Sequence, residues 1–463
     1  MPALLSLSLA CRSARRGLGL AILASLAAAP AAAQTPRPSP TPDPGPILGQ
    51  DELDVQSRTS VILGSGARAL GMGGAFLARA DDATAASWNP AGLSYLRRPE
   101  MSVVGARNIF NSDIEGVERG RFKGWSPDFG AITFPLTVKN AGGAVQLSFQ
   151  RVIPFDGSRK IARISGAGAS SSLTSSGGFD VVALGTGWKL SRTLRLGVTL
   201  NRWVRGYEQD QTRVVEAGRT REIVTNWEMR GWNTNLGLIF TPVESLNLAV
   251  VGNTPFTAHV NLAKSRTDSL PNVEGELEPI SSNAYESDDV TLEFPGAVGF
   301  GASWRPESRL TLSADYTRTF WSKAYVYNFF VIPFIDTEAP AIRQPPPADY
   351  VYSKLPYPYV TEDRQVDSEQ VRFGVEYVFI SGRIKVPVRG GYFNDRQIRL
   401  DRDGHAPRYH GFTAGTGLIV GSVLLDAAYL YQYGSYDDVF DQRITQRTHR
   451  FLASVIYRFG GLP

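Results

Sequence analysis

The 463-residue chain has few of the residues that usually carry metal or redox chemistry: one cysteine, four methionines and four histidines. The single cysteine, Cys11, has no intramolecular disulfide partner, and the dispersed histidines do not show the ligand spacing of zinc enzymes. Residues 34–463 also contain no run of about 20 apolar residues, so we predict no transmembrane helix there. We therefore expect no metal, no cofactor and no catalytic residues.

An excess of positive charge is also absent from most of the chain. The formal net charge is +4, but residues 1–33 hold Arg12, Arg15 and Arg16 and no acidic residue. The remaining chain has 45 basic and 44 acidic residues and no basic cluster. This balance gives no reason to expect a nucleic-acid partner.

The N-terminus has the pattern of an export signal. Three arginines precede the apolar stretch Leu18–Leu26, and Ala31-Ala32-Ala33 forms a small-residue cleavage site, so we predict a signal peptide over residues 1–33. Proline then occupies every second position from Pro36 to Pro46. This spacing predicts an extended leader over residues 34–59.

Alternation of apolar and polar residues dominates the rest of the chain. Val371, Phe373 and Val375, for example, alternate with small or charged residues, which is typical of strands with two different faces. This pattern predicts fourteen strands, near 100–108, 128–135, 140–153, 179–190, 194–206, 227–240, 246–262, 290–304, 309–320, 370–380, 384–395, 409–420, 422–433 and 447–459. Splitting 246–262 at Pro255 would give fifteen.

The predicted connections alternate between long and short without exception. A soluble sandwich or propeller has no reason to place every long loop at one end, whereas an outer-membrane barrel does. Closure also pairs all backbone groups within lipid. We therefore predict an all-β, closed antiparallel transmembrane β-barrel of about 14 strands over residues 99–459, with a tail at 460–463. It would lie in a Gram-negative outer membrane, surrounded by lipid and lipopolysaccharide.

A glycine-rich segment, residues 60–98, precedes the predicted barrel. Either Asp81 or Asp82 can cap a short helix over Ala83–Trp88, and Asn89-Pro90 ends it. A dinucleotide-binding loop at Gly64-x-Gly66 is disfavoured because no β-α-β unit follows. We predict a short helical hatch, tucked as a plug inside the barrel lumen.

Three parts of this segment match a known pattern: 67–75 (ARALGMGGA), 80–83 (ADDA) and 88–93 (WNPAGL). They resemble the hatch signature of the FadL-type outer-membrane transport proteins, and the PorV-like branch shares much of it. The hatch-motif residues carried over by this resemblance are Gly71, Gly73, Gly74, Asp81, Asp82, Trp88, Asn89, Pro90 and Gly92.

The resemblance implies passive transport of hydrophobic small molecules, such as long-chain fatty acids and hydrocarbons, through a hatch-gated barrel. The alternative it leaves open is a PorV-like barrel that anchors or hands over secreted proteins at the cell surface. It also implies a lateral exit through a break in the third strand, which here carries Gly142-Gly143 and ends at Pro154. An enzyme is not expected.

The loop at 321–369 is rich in apolar and aromatic residues. Such a loop marks a contact with a ligand, a partner or a membrane, or else its residues continue the flanking strands above the membrane. The candidate ligand-capture residues are Trp321, Tyr325, Tyr327, Phe329, Phe330 and Phe334.

Overall fold

The computed structural model describes most of the chain after residue 63. The described residues are 64–114, 117–138, 141–154, 156–164, 169–214, 219–323, 325–327, 351–354, 366–398, 400–401, 403–437 and 443–460. The predicted signal peptide and leader, and the first residues of the predicted hatch, lie outside these ranges.

Fourteen of the twenty described strands form a closed antiparallel wall. These are β1 (Glu100–Ile114), β2 (Val117–Val138), β3 (Ala141–Pro154), β5 (Ala169–Lys189), β6 (Leu194–Val204), β8 (Thr220–Val243), β9 (Leu246–Asn253), β12 (Ala297–Glu307), β13 (Leu310–Thr319), β16 (Ser368–Ser381), β17 (Ile384–Arg396), β18 (Arg408–Val420), β19 (Val423–Asp437) and β20 (Arg443–Arg458). Each wall strand pairs with the next, and β1 pairs with β20 from Glu100↔Arg458 to Ile114↔Ile444. The predicted fold class is confirmed.

The other six strands extend part of the wall at one end. They are β4 (Gly157–Ile164), β7 (Gly206–Val214), β10 (Phe256–Pro271), β11 (Leu277–Phe294), β14 (Tyr325–Tyr327) and β15 (Val351–Lys354). This extension lies at the loop end of the barrel. The opposite end, the turn end, holds both ends of the wall and six connections of two to four residues between consecutive wall strands. The long connections thus contain strands of their own.

Two predicted strands each cover parts of two observed strands. The predicted strand 246–262 is split into β9 and β10, and the predicted strand 290–304 is split into β11 and β12. Pro255 and Pro295 lie at these junctions. Proline cannot donate to a ladder, so each wall strand ends there and the chain continues into the extension.

The two faces of the wall differ in the way the alternation predicts. On β16, Phe373 and Val375 point outward and are 51% and 39% exposed, whereas Arg372 and Glu376 point inward and are each 3% exposed. The outward positions form an apolar band around the barrel. No helix in the described part of the chain is long and apolar enough to cross a membrane.

Inside the barrel lies the hatch, defined here as residues 64–96. It contains helix α1 (Ala67–Gly71), helix α2 (Ala85–Trp88) and a 3₁₀ helix (Pro90–Tyr95); a second 3₁₀ helix covers Trp321–Lys323 at the loop end. The hatch side chains Met72, Phe76 and Leu93 are completely buried. The lumen therefore holds an apolar core that the chain supplies from its own N-terminal segment.

Candidate functional site

The hatch folds through the residues of its motif. Helix α1 ends at Gly71, and Gly73 and Gly74 follow with φ values of 67° and 75°. These values favour glycine, and the N–H of Gly74 donates to the carbonyl of Ala69 at 2.9 Å. A Cβ on Gly92 would lie 1.7 Å from the carbonyl oxygen of Ala80, so only glycine allows these hatch segments to touch.

The two aspartates of the motif have different roles. Asp82 accepts hydrogen bonds from the backbone N–H of Thr84 at 2.9 Å and from its hydroxyl at 2.6 Å. Asp81 forms ion pairs with Arg68, at 2.7 Å, and with Arg79, while Asp82 lies 3.3 Å from Arg68 as a further partner. Burial opposes ionisation of Asp81, but the guanidinium groups of Arg68 and Arg79 outweigh it and lower its pKa. The helix begins at Ala85 rather than at the predicted Ala83.

Trp88, Asn89 and Pro90 connect the two halves of the hatch. The indole N–H of Trp88 donates to the carbonyl of Ser65 at 2.7 Å. The side-chain oxygen of Asn89 accepts from the N–H of Ala91 at 3.0 Å, and its amide donates to the carbonyls of Leu77 and Leu238 at 2.9 and 3.3 Å. As predicted, α2 ends before Asn89, and Pro90 starts the 3₁₀ helix.

We expect Asn89→Ala to loosen the hatch while the wall stays folded. Asn89 is completely buried, and removing its side chain leaves three buried backbone groups without their partner, at a cost of about 1 kcal/mol or more each. Amide hydrogen exchange in residues 76–96 should then accelerate by about two orders of magnitude, while the wall amides are unchanged.

The matched control is Asn272→Ala in the exposed β10–β11 turn. Asn272 also makes three hydrogen bonds, to the backbone N–H groups of Glu274 and Glu276 and to the Glu278 carboxylate. Its substitution should leave hatch exchange unchanged. Equal hatch protection in the Asn89 variant and the native chain would contradict the assigned role.

Glycines on the inner face of the wall make room for the hatch. A Cβ on any of nine wall glycines would lie within 3.1 Å of a hatch atom. At Gly391 it would lie 2.2 Å from the nitrogen of Gly73, and at Gly197 it would lie 2.2 Å from the carbonyl carbon of Pro90. The nine are Gly185, Gly187, Gly197, Gly237, Gly299, Gly301, Gly374, Gly391 and Gly415. The wall is thus shaped for contact with the hatch backbone.

Wall side chains also hydrogen-bond the hatch backbone from several directions. The Asp315 carboxylate accepts from the N–H groups of Phe76 and Leu77 at 2.7 and 2.9 Å. The amide of Gln146 donates to the carbonyl of Ala83 at 2.7 Å, and the hydroxyl of Thr413 accepts from the N–H of Gly73 at 2.9 Å. These contacts come from β13, β3 and β18 and fix the hatch to widely separated strands.

A buried ion network joins the hatch to the wall on β16, β17 and β19. Glu376 lies 2.7 Å from the Nε of Arg389, 3.3 Å from the Nε of Arg68 and 3.7 Å from a terminal nitrogen of Arg79. Arg389 also contacts Asp426 at 2.6 Å. The guanidinium of Arg195, another charge of the inner face, lies over the ring of Tyr95, 4.1 Å from its centre.

Above the hatch the lumen contains a cavity of about 100 Å³. Its ceiling is an aromatic roof of Trp203, Phe256 and Phe294, whose rings lie 4.9 to 5.6 Å apart. Its floor includes Leu77 and Trp88 of the hatch. The rest of the lining includes the apolar side chains Val152, Val181 and Val251, the charged side chain Arg372, and the polar side chains Gln150, Asn201, Asn233, Asn235, Asn253, Thr317 and Thr319.

The asparagines of the cavity are held by one another and by the roof. The amide of Asn201 donates to the side-chain oxygen of Asn235 at 2.9 Å, and the indole N–H of Trp203 donates to that of Asn233 at 2.8 Å. The cavity therefore combines aromatic and aliphatic side chains with a fixed group of polar atoms and one guanidinium, that of Arg372. Apolar walls with a few placed polar groups are common in small-molecule sites.

The wall ladder is interrupted beside this cavity. β2 pairs with β3 from Val138↔Ala141 to Phe129↔Gln150, and its next partner on that side is Ser158 of β4, opposite Lys123. Between these points the described residues of β2 and β3 have no mutual pairing, and Pro127 and Pro154 flank the interruption. Gly142 and Gly143, the other position at which the third strand could break, are regularly paired with β2.

The structure describes only part of the predicted capture loop. Trp321 is buried, and its ring lies 6.5 Å from Phe294 of the aromatic roof. Tyr325 and Tyr327 belong to β14, which pairs with β11 and β15. Phe329, Phe330 and Phe334 lie outside the described residues.

Sequence reasoning did not identify Arg68, Arg79, Arg389, Asp315 or the asparagines of the cavity. The alternation of the wall strands predicts that Arg389, Asp315 and the asparagines face the lumen. It does not predict which of these side chains contact one another or the hatch. Across the described ranges, no group of three or more histidine, cysteine, aspartate or glutamate side chains is arranged to hold a metal ion.

Comparison with known proteins relates the chain to one family and one fold. Solved structures with a similar fold include a Pseudomonas aeruginosa FadL homologue, at 12% identity with a TM-score of 0.56, over 86% of this chain and 98% of that one. The Ralstonia pickettii toluene transporter TbuX has 15% identity and a TM-score of 0.54, over 86% and 99%. The Pseudomonas putida toluene transporter TodX has 13% identity and a TM-score of 0.51, over 87% and 100%.

At these identities the likeness concerns the fold alone. No curated protein sequence matches the chain. The BamG family model matches residues 66–332, more than half of the 463 residues. Because this match runs without interruption from the hatch through the wall strands β1 to β13, the chain belongs to the BamG family.

Proposed function

We propose that the chain is an outer-membrane protein that lets hydrophobic small molecules, such as long-chain fatty acids and hydrocarbons, pass through a barrel gated by its hatch. The observation that carries this proposal is the cavity between the hatch and the aromatic roof. The aromatic roof bounds the cavity on the loop-end side, and hatch residues form its floor. The β2–β3 ladder is interrupted beside it.

The position of the cavity supports a path with two ends. Trp321, at the start of the predicted capture loop, contacts the roof through Phe294. Gln150 and Val152 of β3 both line the cavity, and the β2–β3 ladder stops at Gln150. A molecule held above the hatch would therefore be close both to the loop-end surface and to the interrupted part of the wall.

The volume supports a small ligand in the closed state. An apolar cavity of about 150 Å³ holds benzene, so about 100 Å³ accommodates at most a compact group or one end of a chain. Longer molecules require the hatch to move. The names of the similar solved structures, which include toluene transporters, agree with this substrate class.

The test is to fill the cavity without changing the outer surface. Val251 lines the cavity and is 9% exposed, whereas its neighbour Val250 points outward and is 41% exposed. In a strain lacking the native gene, we expect Val251→Trp to lower the initial uptake of labelled toluene and oleate by about tenfold, because the indole occupies the ligand volume. Val250→Trp should support native uptake.

Equal amounts of both variants in the outer membrane, and the same heat-dependent shift of the folded barrel in gels, control for assembly. If Val251→Trp took up both compounds as fast as the native protein, the transported molecule would not pass through the cavity.

A second candidate function is anchoring or handing over secreted proteins at the cell surface. The six-stranded extension favours it, because it presents a large area of polar strand at the loop end. A strain lacking the gene would then lose surface-attached proteins but retain hydrocarbon uptake, which is the reverse of the result expected for a transporter.

A further inference from the structure

Three adjacent wall strands carry a cluster of cations on their outward face at the loop end. Arg107 of β1 is opposite Trp125 of β2 on one side and Phe451 of β20 on the other. Two residues further toward the loop end, Ile109 is opposite Lys123 and His449; two further still, Asn111 is opposite Arg121 and Arg447. The register thus sets out three rows of three outward positions.

The contacts of these residues confirm that they point away from the lumen. Trp125 is 67% exposed, and the guanidinium of Arg107 lies over its ring, 4.8 Å from the centre. Arg121 and Lys123 are exposed, whereas Phe122, which lies between them in the sequence, is buried, as is Ser126 after Trp125. Arg121 donates to the side chain of Asn111 at 3.1 Å, and Arg447 pairs with Asp113.

The four cations are close enough to bind one headgroup. Outward residues opposite each other on paired strands have Cβ atoms about 5 Å apart, and those two apart on one strand are about 7 Å apart. Arg107, Lys123, Arg121 and Arg447 therefore fall within roughly 15 Å. The cluster also contacts an acidic side chain, Asp113, which pairs with Arg447.

The surroundings of the cluster identify the kind of ligand. Toward the turn end, the same strands present the outward apolar residues Val103, Ile132, Phe134 and Val455, each between 45% and 57% exposed. Trp125, Phe451 and Tyr429 lie in the row of Arg107, between these apolar residues and the other three cations. From the turn end to the loop end, the surface is first apolar, then aromatic, then cationic. This order matches a lipid whose acyl chains point toward the turn end and whose phosphates lie toward the loop end.

We propose that this phosphate patch, formed by Arg107, Arg121, Lys123 and Arg447, is a binding site for the phosphorylated glycolipid of the outer leaflet, of the lipid A type. The patch rests on the proposed outer-membrane location but not on the transport of any molecule. Its cations bind the phosphates, Trp125 and Phe451 contact the sugar and the ends of the acyl chains, and the apolar band contacts the chains.

The test measures binding of purified lipid A to the detergent-solubilised full-length protein. Each cation near an anionic lipid surface contributes a factor of about five in affinity. We expect Arg107→Ala combined with Lys123→Ala to weaken binding by about 25-fold. Removing both phosphates from lipid A should weaken binding to the native protein by at least as much.

The chain offers a matched control pair. Arg202 lies over the ring of Trp232 at 5.0 Å on the outward face of β6 and β8, and Arg230 is exposed beside them. Arg202→Ala combined with Arg230→Ala removes the same charge from a comparable arginine–tryptophan pair, but outside the patch. Binding of lipid A by this variant should equal that of the native protein.

Three results would overturn the proposal: equal loss in both double variants, no loss in the patch variant, or equal binding of phosphate-free lipid A. Full competition by inorganic phosphate would also overturn it, because the site would then recognise a free anion. The two proposals can fail separately. Val251→Trp should lose toluene uptake but keep lipid A binding, whereas the patch variant should lose lipid A binding but keep toluene uptake.

Discussion

Gly391→Val should open the barrel by expelling the hatch. Gly391 lies in the middle of β17, paired with Gly374 on one side and Thr413 on the other. Valine is favoured in strands, so the wall tolerates it. Its Cβ, however, would lie 2.2 Å from the nitrogen and 2.6 Å from the Cα of Gly73. The hatch backbone cannot remain where it is.

The expected effect is large because several atoms overlap at once. Overpacking costs about 1–3 kcal/mol and more when backbone must move, and 3 kcal/mol changes the ratio of closed to open barrels by a factor of about 100. We expect the variant to show increased ion conductance in planar bilayers and to sensitise cells to vancomycin, which is too large to cross a closed barrel.

Gly105→Val provides the matched control. Gly105 is a wall glycine on β1, and nothing lies within 4 Å of a Cβ built on it. The same substitution there should leave conductance and drug sensitivity at native values. If both variants remain closed, the hatch does not seal the lumen; if both open, the effect comes from the wall.

The sequence predicts the wall far better than the extension. Along the wall one face meets an apolar environment and the other a filled lumen, so alternation is strong: Phe373 and Val375 face outward while Arg372 and Glu376 face inward. In the extension both faces can be polar. β7, with the sequence GYEQDQTRV, therefore has the composition of a loop, and only its pairing with β5 and β8 makes it a strand.

The hatch shows a similar division between local and distant information. Its turns depend on residues close in sequence, such as Asn89 and Ala91, and the motif predicts them. Its attachment to the wall depends on chain closure. Arg68 and Glu376 are 308 residues apart, and no periodicity in the sequence indicates which inward-facing acid a hatch arginine will meet. The inward-facing glycines of the wall alternate with apolar residues in the sequence, but that pattern does not indicate which of them contact the hatch backbone.

Glu376→Gln should release the hatch electrostatically without any steric change. Glutamine has nearly the same shape, but it removes the charge shared by Arg389, Arg68 and Arg79. Removing one partner from a buried ion network costs up to about 3–5 kcal/mol. Arg68 and Arg79 belong to the hatch, are only 15% and 16% exposed, and would retain the hatch aspartates as partners. Arg389, on the wall, keeps Asp426.

The free energy should therefore be lost from hatch closure rather than from the wall. Amide exchange in residues 67–92 should accelerate by a factor of at least about 100, while β16 and β17 keep their protection. The control is Glu228→Gln: Glu228 pairs with Arg230 at 3.4 Å, but both side chains are more than half exposed, and such pairs contribute at most about 0.5–1 kcal/mol. Uniform loss of protection across wall and hatch would show that Glu376 stabilises the barrel and not the gate. Unchanged exchange would show that Asp81 and Asp82 alone hold the two hatch arginines.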